Sequence, residues 1–125
     1  MSPDLHGPRR VLARSRRVCL PSRITDQLTW TKGDCVVRVT AAPGREGELW
    51  IERVSRPRKP SPDRDPGRAR PLDAQGQVTL PAPLMLQVGL SEQEPWVYFA
   101  ADASRAGVRV IPAALVRVGV GAVAS

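Results

Sequence analysis

The sequence predicts a mostly β fold with short helices, built from two tandem copies of one strand–strand–helix–strand–strand unit. Three observations carry that prediction. The chain aligns with itself, without a gap, at an offset of 60 residues. Short stretches rich in β-branched residues recur and are closed by proline or glycine. A Pro- and Arg-rich stretch without large apolar residues separates the alignable halves.

At that offset Val18-Cys19-Leu20-Pro21 falls on Val78-Thr79-Leu80-Pro81, and Leu28-Thr29-Trp30 on Val88-Gly89-Leu90. Val36 to Val39 falls on Trp96 to Phe99, and Gly47 and Ile51 meet Gly107 and Ile111. Arg10/Arg70, Leu12/Leu72, Ala41/Ala101 and Arg45/Arg105 also match.

In the first copy, Arg17 to Leu20 reads as a strand ended by Pro21, and a helix carrying Ile24 and Leu28 follows. Cys35 to Thr40 is a strand with Cys35, Val37 and Val39 on one face, because side chains alternate along an extended chain. Leu49 to Val54 closes the copy. Residues 55–71, with five prolines, read as an extended linker. In the second copy, Gln77 to Leu80 is a strand, and Pro81 opens a helix where a missing N–H costs little. Leu84 and Val88 share one helical face, and Gly89 is a natural stop. Trp96 to Ala100 is the next strand, and Gly107 turns the chain into Val108 to Ile111, which Pro112 ends. The expected divisions are a basic repeat over 9–54, the linker 55–71, a second repeat over 72–116 and a tail over 117–125.

A unit of about 45 residues with one two-turn helix cannot bury enough apolar surface to stand alone. Its strands would also leave bare edges. The two copies are therefore expected to interleave their hairpins into one shared barrel.

Composition narrows the function. His6 is the only histidine, in a Pro/Gly-containing segment, so a metal site built on imidazoles is excluded and nucleophile–histidine pairs have a single candidate. Neither G-x-x-x-x-G-K-[ST] nor G-x-G-x-x-G occurs. No enzyme activity, cofactor or metal is expected. No apolar run approaches the ~18 residues of a membrane span, and the first ten residues lack the apolar stretch of a signal peptide. The expected location is cytoplasmic, with the bacterial nucleoid. Cys19 and Cys35 are too few for a disulfide framework and read as small strand residues. Trp30 reads as core, and Trp50 and Trp96 as barrel or rim.

Charge is uneven. Residues 1–70 hold 16 of the 19 Lys and Arg and 8 of the 12 acids, whereas residues 71–125 are near neutral. Arg9, Arg10, Arg14, Arg16, Arg17 and Arg23 form a run with no acid among them. Guanidinium groups make planar, bidentate contacts to phosphates and guanine edges, so a polyanion is the expected partner. A solvated basic face is the plainer reading of the same charge.

Asp73-Ala-Gln-Gly-Gln-Val-Thr-Leu-Pro81, followed by Val88-Gly89-Leu90, resembles the signature of the AbrB/MazE/SpoVT swapped-hairpin family. The first copy keeps Leu20-Pro21 and Lys32-Gly33-Asp34, but has Arg16-Arg17 for Gly-Arg and Thr29-Trp30 for Gly-Leu. The second has Gln93-Glu94 where Gly-Asp is usual. The resemblance covers about 90 of the 125 residues. It implies a swapped-hairpin barrel made by two copies, and DNA binding from the first strand, its loop and the helix start. Carried onto this chain, Arg17 and Gln77 match the position after the family's glycine, Arg14 and Arg16 the loop, and Arg23 the first helical turn.

The leading expectation is a DNA-binding transcriptional regulator. Its contact set is Arg9, Arg10, Arg14, Arg16, Arg17, Arg23, Arg70, Gln75 and Gln77, and it is expected to form a homo-oligomer, a dimer or higher. The alternatives are a MazE-type antitoxin, whose apolar tail from Ala113 would mask a toxin-like protein, and an assembly module with no DNA role.

Overall fold

Alternating β-branched segments separated by proline and glycine fold as expected into a mostly β body with short helices. A computed structural model describes residues 5–12, 14–33, 35–54 and 69–116. The elements are β1 (His6–Arg10), β2 (Arg17–Cys19), α1 (Ser22–Gln27), β3 (Cys35–Ala41), β4 (Leu49–Arg53), β5 (Ala69–Leu72), β6 (Gln77–Thr79), α2 (Ala82–Gln87), β7 (Trp96–Asp102) and β8 (Gly107–Pro112).

Six strands form an antiparallel sheet in the order β1-β7-β8-β4-β3-β5, which curls into a half-barrel. The remaining two, β2 and β6, pair as a separate ribbon. Strands from the two halves of the chain are intermixed: β1 pairs with β7, β5 with β3, and β4 with β8. Neither half buries its own strands without the other.

The core follows from the alternation. In β3, Cys35, Val37 and Val39 are buried, and the residues between them are only half-buried. Ile51 on the adjacent β4, Val108 and Val110 on β8 and Phe99 on β7 join them in one core, and Val18 and Val78 add to it from the ribbon. The helices contribute Ile24 and Leu84, and the residues just past them, Trp30 and Leu90, complete the packing. Each such side chain contributes about 1.5–3 kcal/mol when fully buried. Thr25 is the one buried polar residue among those described, and its hydroxyl donates to the Ser22 carbonyl at 3.0 Å.

The 60-residue offset holds from β2/β6 through α1/α2 into β3/β7, where Val37 and Val39 match the buried Val97 and Phe99, and is displaced before β2 and in the last strands. Cys35 stands opposite Leu72, but Val11, not Leu12, bonds through its N–H to the Pro95 carbonyl. Val11 is accordingly buried and Leu12 46 % exposed, so the expected Leu12/Leu72 and Arg10/Arg70 matches are displaced by one residue. The turn before β2 carries an additional residue. Likewise Val39 faces Ile51 while Phe99 faces Val110, so Ile51 corresponds to Val110 rather than Ile111. Gly47 and Gly107 also differ in role. Gly47 has φ +85°, whereas Gly107 is needed for space: a β-carbon there would stand 2.1 Å from Cζ2 of Trp50, whose indole covers it.

Several boundaries are corrected. The first strand begins at His6, ahead of Arg9, so His6 itself lies in a strand. The expected linker ends early, because Ala69 to Pro71 pair with β3 as part of β5. Edge strands tolerate proline, since the outward N–H has no ladder partner to lose. Pro8 in β1 sits where the register against β7 shifts. Trp96 is 43 % exposed at the start of β7, whereas Trp30 packs into the core and Trp50 is buried outside it, against Gly107. Residues 55–68 of the linker and the tail 117–125 lie outside the described residues; 113–116 form a helical turn.

Candidate nucleic-acid interface

The ribbon positions most of the expected contact residues. Arg17 pairs with Thr79, Val18 with Val78, and Cys19 with Gln77. Two further bonds lengthen it symmetrically: the Leu20 N–H donates to the Gly76 carbonyl at 2.9 Å, and the Leu80 N–H to the Arg16 carbonyl at 2.8 Å. Val18 and Val78 point inward and are 1 % exposed. The period-two rule then turns Arg17, Cys19, Gln77 and Thr79 outward as one surface.

A tight loop enters each ribbon strand. Before β2, the Leu12 N–H donates to the Arg17 carbonyl and the Arg16 N–H to the Leu12 carbonyl, leaving Arg14 and Ser15 exposed. Before β6, the Asp73 carboxylate accepts the backbone N–H groups of Gln75 (2.9 Å) and Gln77 (2.8 Å), an Asx-type turn. Gly76 takes φ +80° in this loop, and Arg16 takes φ +56° at the corresponding position. Left-handed backbone costs a residue with a β-carbon about 1–2 kcal/mol. Arg16 recovers part of that by donating from Nε to the Leu80 carbonyl across the ribbon at 3.2 Å. Arg16 is therefore half-buried and tied to the fold, whereas Arg14 and Arg17 are exposed.

Pro21 and Pro81 precede the two helices, and Arg23 lies exposed in the first turn of α1. Gln75 occupies the opposite end of the ribbon from Arg14 and Arg16. Its carbonyl accepts from the Cys19 thiol at 3.5 Å, and Gln77 is half-buried. Arg9 and Arg10 are exposed on β1 at one edge of the large sheet, leading toward the ribbon. Arg70 stands on β5, at the other end of the strand order, opposite Val37. Cys19 and Cys35 are free thiols, the second buried.

One cation escaped the sequence reading. Lys32 follows α1, and its Cε lies 3.1 Å from where a β-carbon on Gly76 would stand. Its Nζ donates to the Ser22 hydroxyl at 3.1 Å. Lys32 thus supplies charge to the glutamine end of the ribbon, beside a turn from the other half of the chain. Its sequence context, Lys32-Gly33-Asp34, marks a turn; only the pairing of the halves brings that turn onto Gly76. Outward from the core, the arrangement is a narrow two-stranded ribbon with arginines at one end, lysine and Arg23 near the other, and amide and hydroxyl side chains between.

No known family model, curated protein or solved structure matches the chain. No helix among the described residues is long and apolar enough to cross a membrane.

Proposed function

We propose that this protein binds duplex DNA through the outer face of the β2/β6 ribbon and acts as a transcriptional regulator. The fold is read as a swapped-hairpin barrel made of two tandem repeats closed within one chain. The crossed pairing of β1 with β7 and of β5 with β3 supports that reading. The observation that carries the functional proposal is the outward set Arg17, Gln77 and Thr79 on a two-stranded ribbon flanked by Arg14, Arg23 and Lys32. A two-stranded ribbon fits the major groove. There the arginines and Lys32 neutralise phosphates and set register, while Gln77 reaches base edges. Arg9 and Arg10 extend the basic surface from the sheet edge, and Arg16 acts by holding its loop. A homodimer would match a palindromic site.

The test is the salt dependence of affinity for a labelled duplex of random sequence. With Arg14, Arg17, Arg23 and Lys32 on phosphates, log K falls with log salt at a slope of about −3.6, or roughly 150-fold between about 50 and about 200 mM. Arg14→Gln, Arg17→Gln and Arg23→Gln together remove about 2.7 of that slope. All three residues are exposed, so the fold is expected to persist in the variant. Affinity that ignores salt, or a triple variant that binds like the parent, refutes the proposal and leaves the ribbon as an assembly surface.

A further inference from the structure

Away from the ribbon, a second group of arginines surrounds a cleft. The β4/β8 pair is antiparallel, with Leu49 opposite Val110 and Glu52 opposite Gly107. The turn joining β3 to β4 therefore lies at one end of this pair and the turn joining β7 to β8 at the other. Inward residues Ile51, Val108 and Val110 belong to the core, so Trp50 and Arg109, which pair with each other, lie on the outer face. Both turns bend over that face. Together with Trp50 and Arg109 they enclose about 390 Å³, lined by Pro43 and Arg45 from one turn and Asp102 and Arg105 from the other.

The two turns differ in length but share one hydrogen bond. The Arg45 N–H donates to the Ala42 carbonyl and the Arg105 N–H to the Asp102 carbonyl, each at 3.2 Å. Arg45 and Arg105 are the pair that the 60-residue offset matched, and the ribbon makes no use of them. Three guanidinium groups thus line one cleft; Arg109 is ion-paired, and Arg105 acts on the Asp102 carboxylate electrostatically without a direct ion pair. Arg109 makes a bidentate pair with Glu48 at 2.9 and 3.1 Å. Asp102 directs its carboxylate into its own turn, accepting the Ser104 hydroxyl at 2.7 Å and the Arg105 N–H at 3.2 Å. Among the described residues, neither the Arg45 nor the Arg105 side chain has a carboxylate within ion-pair distance.

We propose that this cleft is a binding site for a small phosphate-bearing ligand, whose phosphate is held between Arg45 and Arg105 over Arg109 and whose hydroxyl groups donate to Asp102. Planar guanidinium forks from two sides suit a dianionic tetrahedral group, which accepts more charge-assisted bonds than a single carboxylate. The volume suits a sugar phosphate or mononucleotide rather than a larger molecule. Trp50, 8 % exposed, forms floor and offers no stacking face, so recognition rests on the phosphate and hydroxyls.

Calorimetric titration of the full chain with ribose 5-phosphate, inorganic phosphate and ribose tests this. Ribose 5-phosphate is expected to bind, phosphate more weakly, and ribose not at all. Arg45→Gln with Arg105→Gln is expected to weaken ribose 5-phosphate at least about tenfold. Both side chains are exposed, and an unchanged unfolding temperature checks the fold. Arg14→Gln with Arg17→Gln leaves this binding intact. No heat with ribose 5-phosphate, binding that survives the Arg45/Arg105 change, or binding lost with the Arg14/Arg17 change overturns the site. If the Arg45/Arg105 variant instead loses affinity for duplex DNA while ribose 5-phosphate gives no heat, the phosphates recognised are those of a DNA backbone and the small-ligand proposal is wrong.

Discussion

Replacing Thr29 by glycine removes a β-carbon from a left-handed position. Thr29 has φ +56°, and Gly89, its counterpart after α2, has φ +78°. Both helices close in the same way. The Thr29 N–H donates to the Asp26 carbonyl and the Trp30 N–H to the Thr25 carbonyl; Gly89 and Leu90 donate likewise to Leu86 and Met85. A β-branched residue held at positive φ costs about 1–2 kcal/mol. Glycine returns about 0.5–1 kcal/mol of this through the larger entropy it loses on folding. The Thr29 hydroxyl donates to its neighbour's carbonyl at 2.6 Å, but the pair is exposed and water replaces it with little loss. Thr29→Gly is therefore expected to stabilise by about 0.5–1 kcal/mol, raising the unfolding temperature by about 2–5 °C in a chain of this size. By the same balance Gly89→Thr should cost about 0.5–1 kcal/mol, since a β-carbon there meets nothing within 4 Å. Circular dichroism melts and urea titrations of both variants measure this. If Thr29→Gly destabilises while Gly89→Thr is neutral, the strain argument fails.

Gly107→Ala is expected to destabilise by about 3 kcal/mol or to abolish folding, because its β-carbon would enter the indole of Trp50; urea midpoints report it. Asp102 is held below its ordinary value of 3.8, chiefly by the Ser104 hydroxyl, with burial opposing and Arg105 assisting. A lowered folded-state value means that its contribution is present above the ordinary value and lost as pH falls through the lowered one. Asp102→Asn should thus lower the unfolding temperature slightly at neutral pH, and the difference should shrink in melts below pH 3.8 and vanish only once the pH has passed the lowered value.

Local chemistry made the strands and helices legible. Proline after Leu20 and Leu80, the apolar alternation from Cys35 and the glycine after Val88 act over a few residues, and the elements form there. Register was less visible. An ungapped offset cannot register a turn that gains one residue, so it matched Leu12 with Leu72, whose buried place in the other half Val11 takes. The edge strand over Ala69–Leu72 was hidden because Arg-Pro composition reads as linker until β3 supplies a partner. Of the candidate site, the outward Arg17 and Gln77 follow from strand alternation, and Arg14 from the basic run that enters β2. Arg70 was grouped with Arg10 by the offset, yet the strand order puts them on opposite edges. Lys32 was missed because its place beside Gly76 depends on contact between halves distant in sequence.

Amide chemical shifts of the labelled protein, followed as a short random duplex is added at low salt, test most directly whether the ribbon is the surface that grips DNA. The account predicts that shifts concentrate at residues 14–19, 23, 32 and 75–79 and reverse when salt is raised. Shifts confined to the outer face of the β4/β8 pair, or none at any duplex concentration, would contradict it.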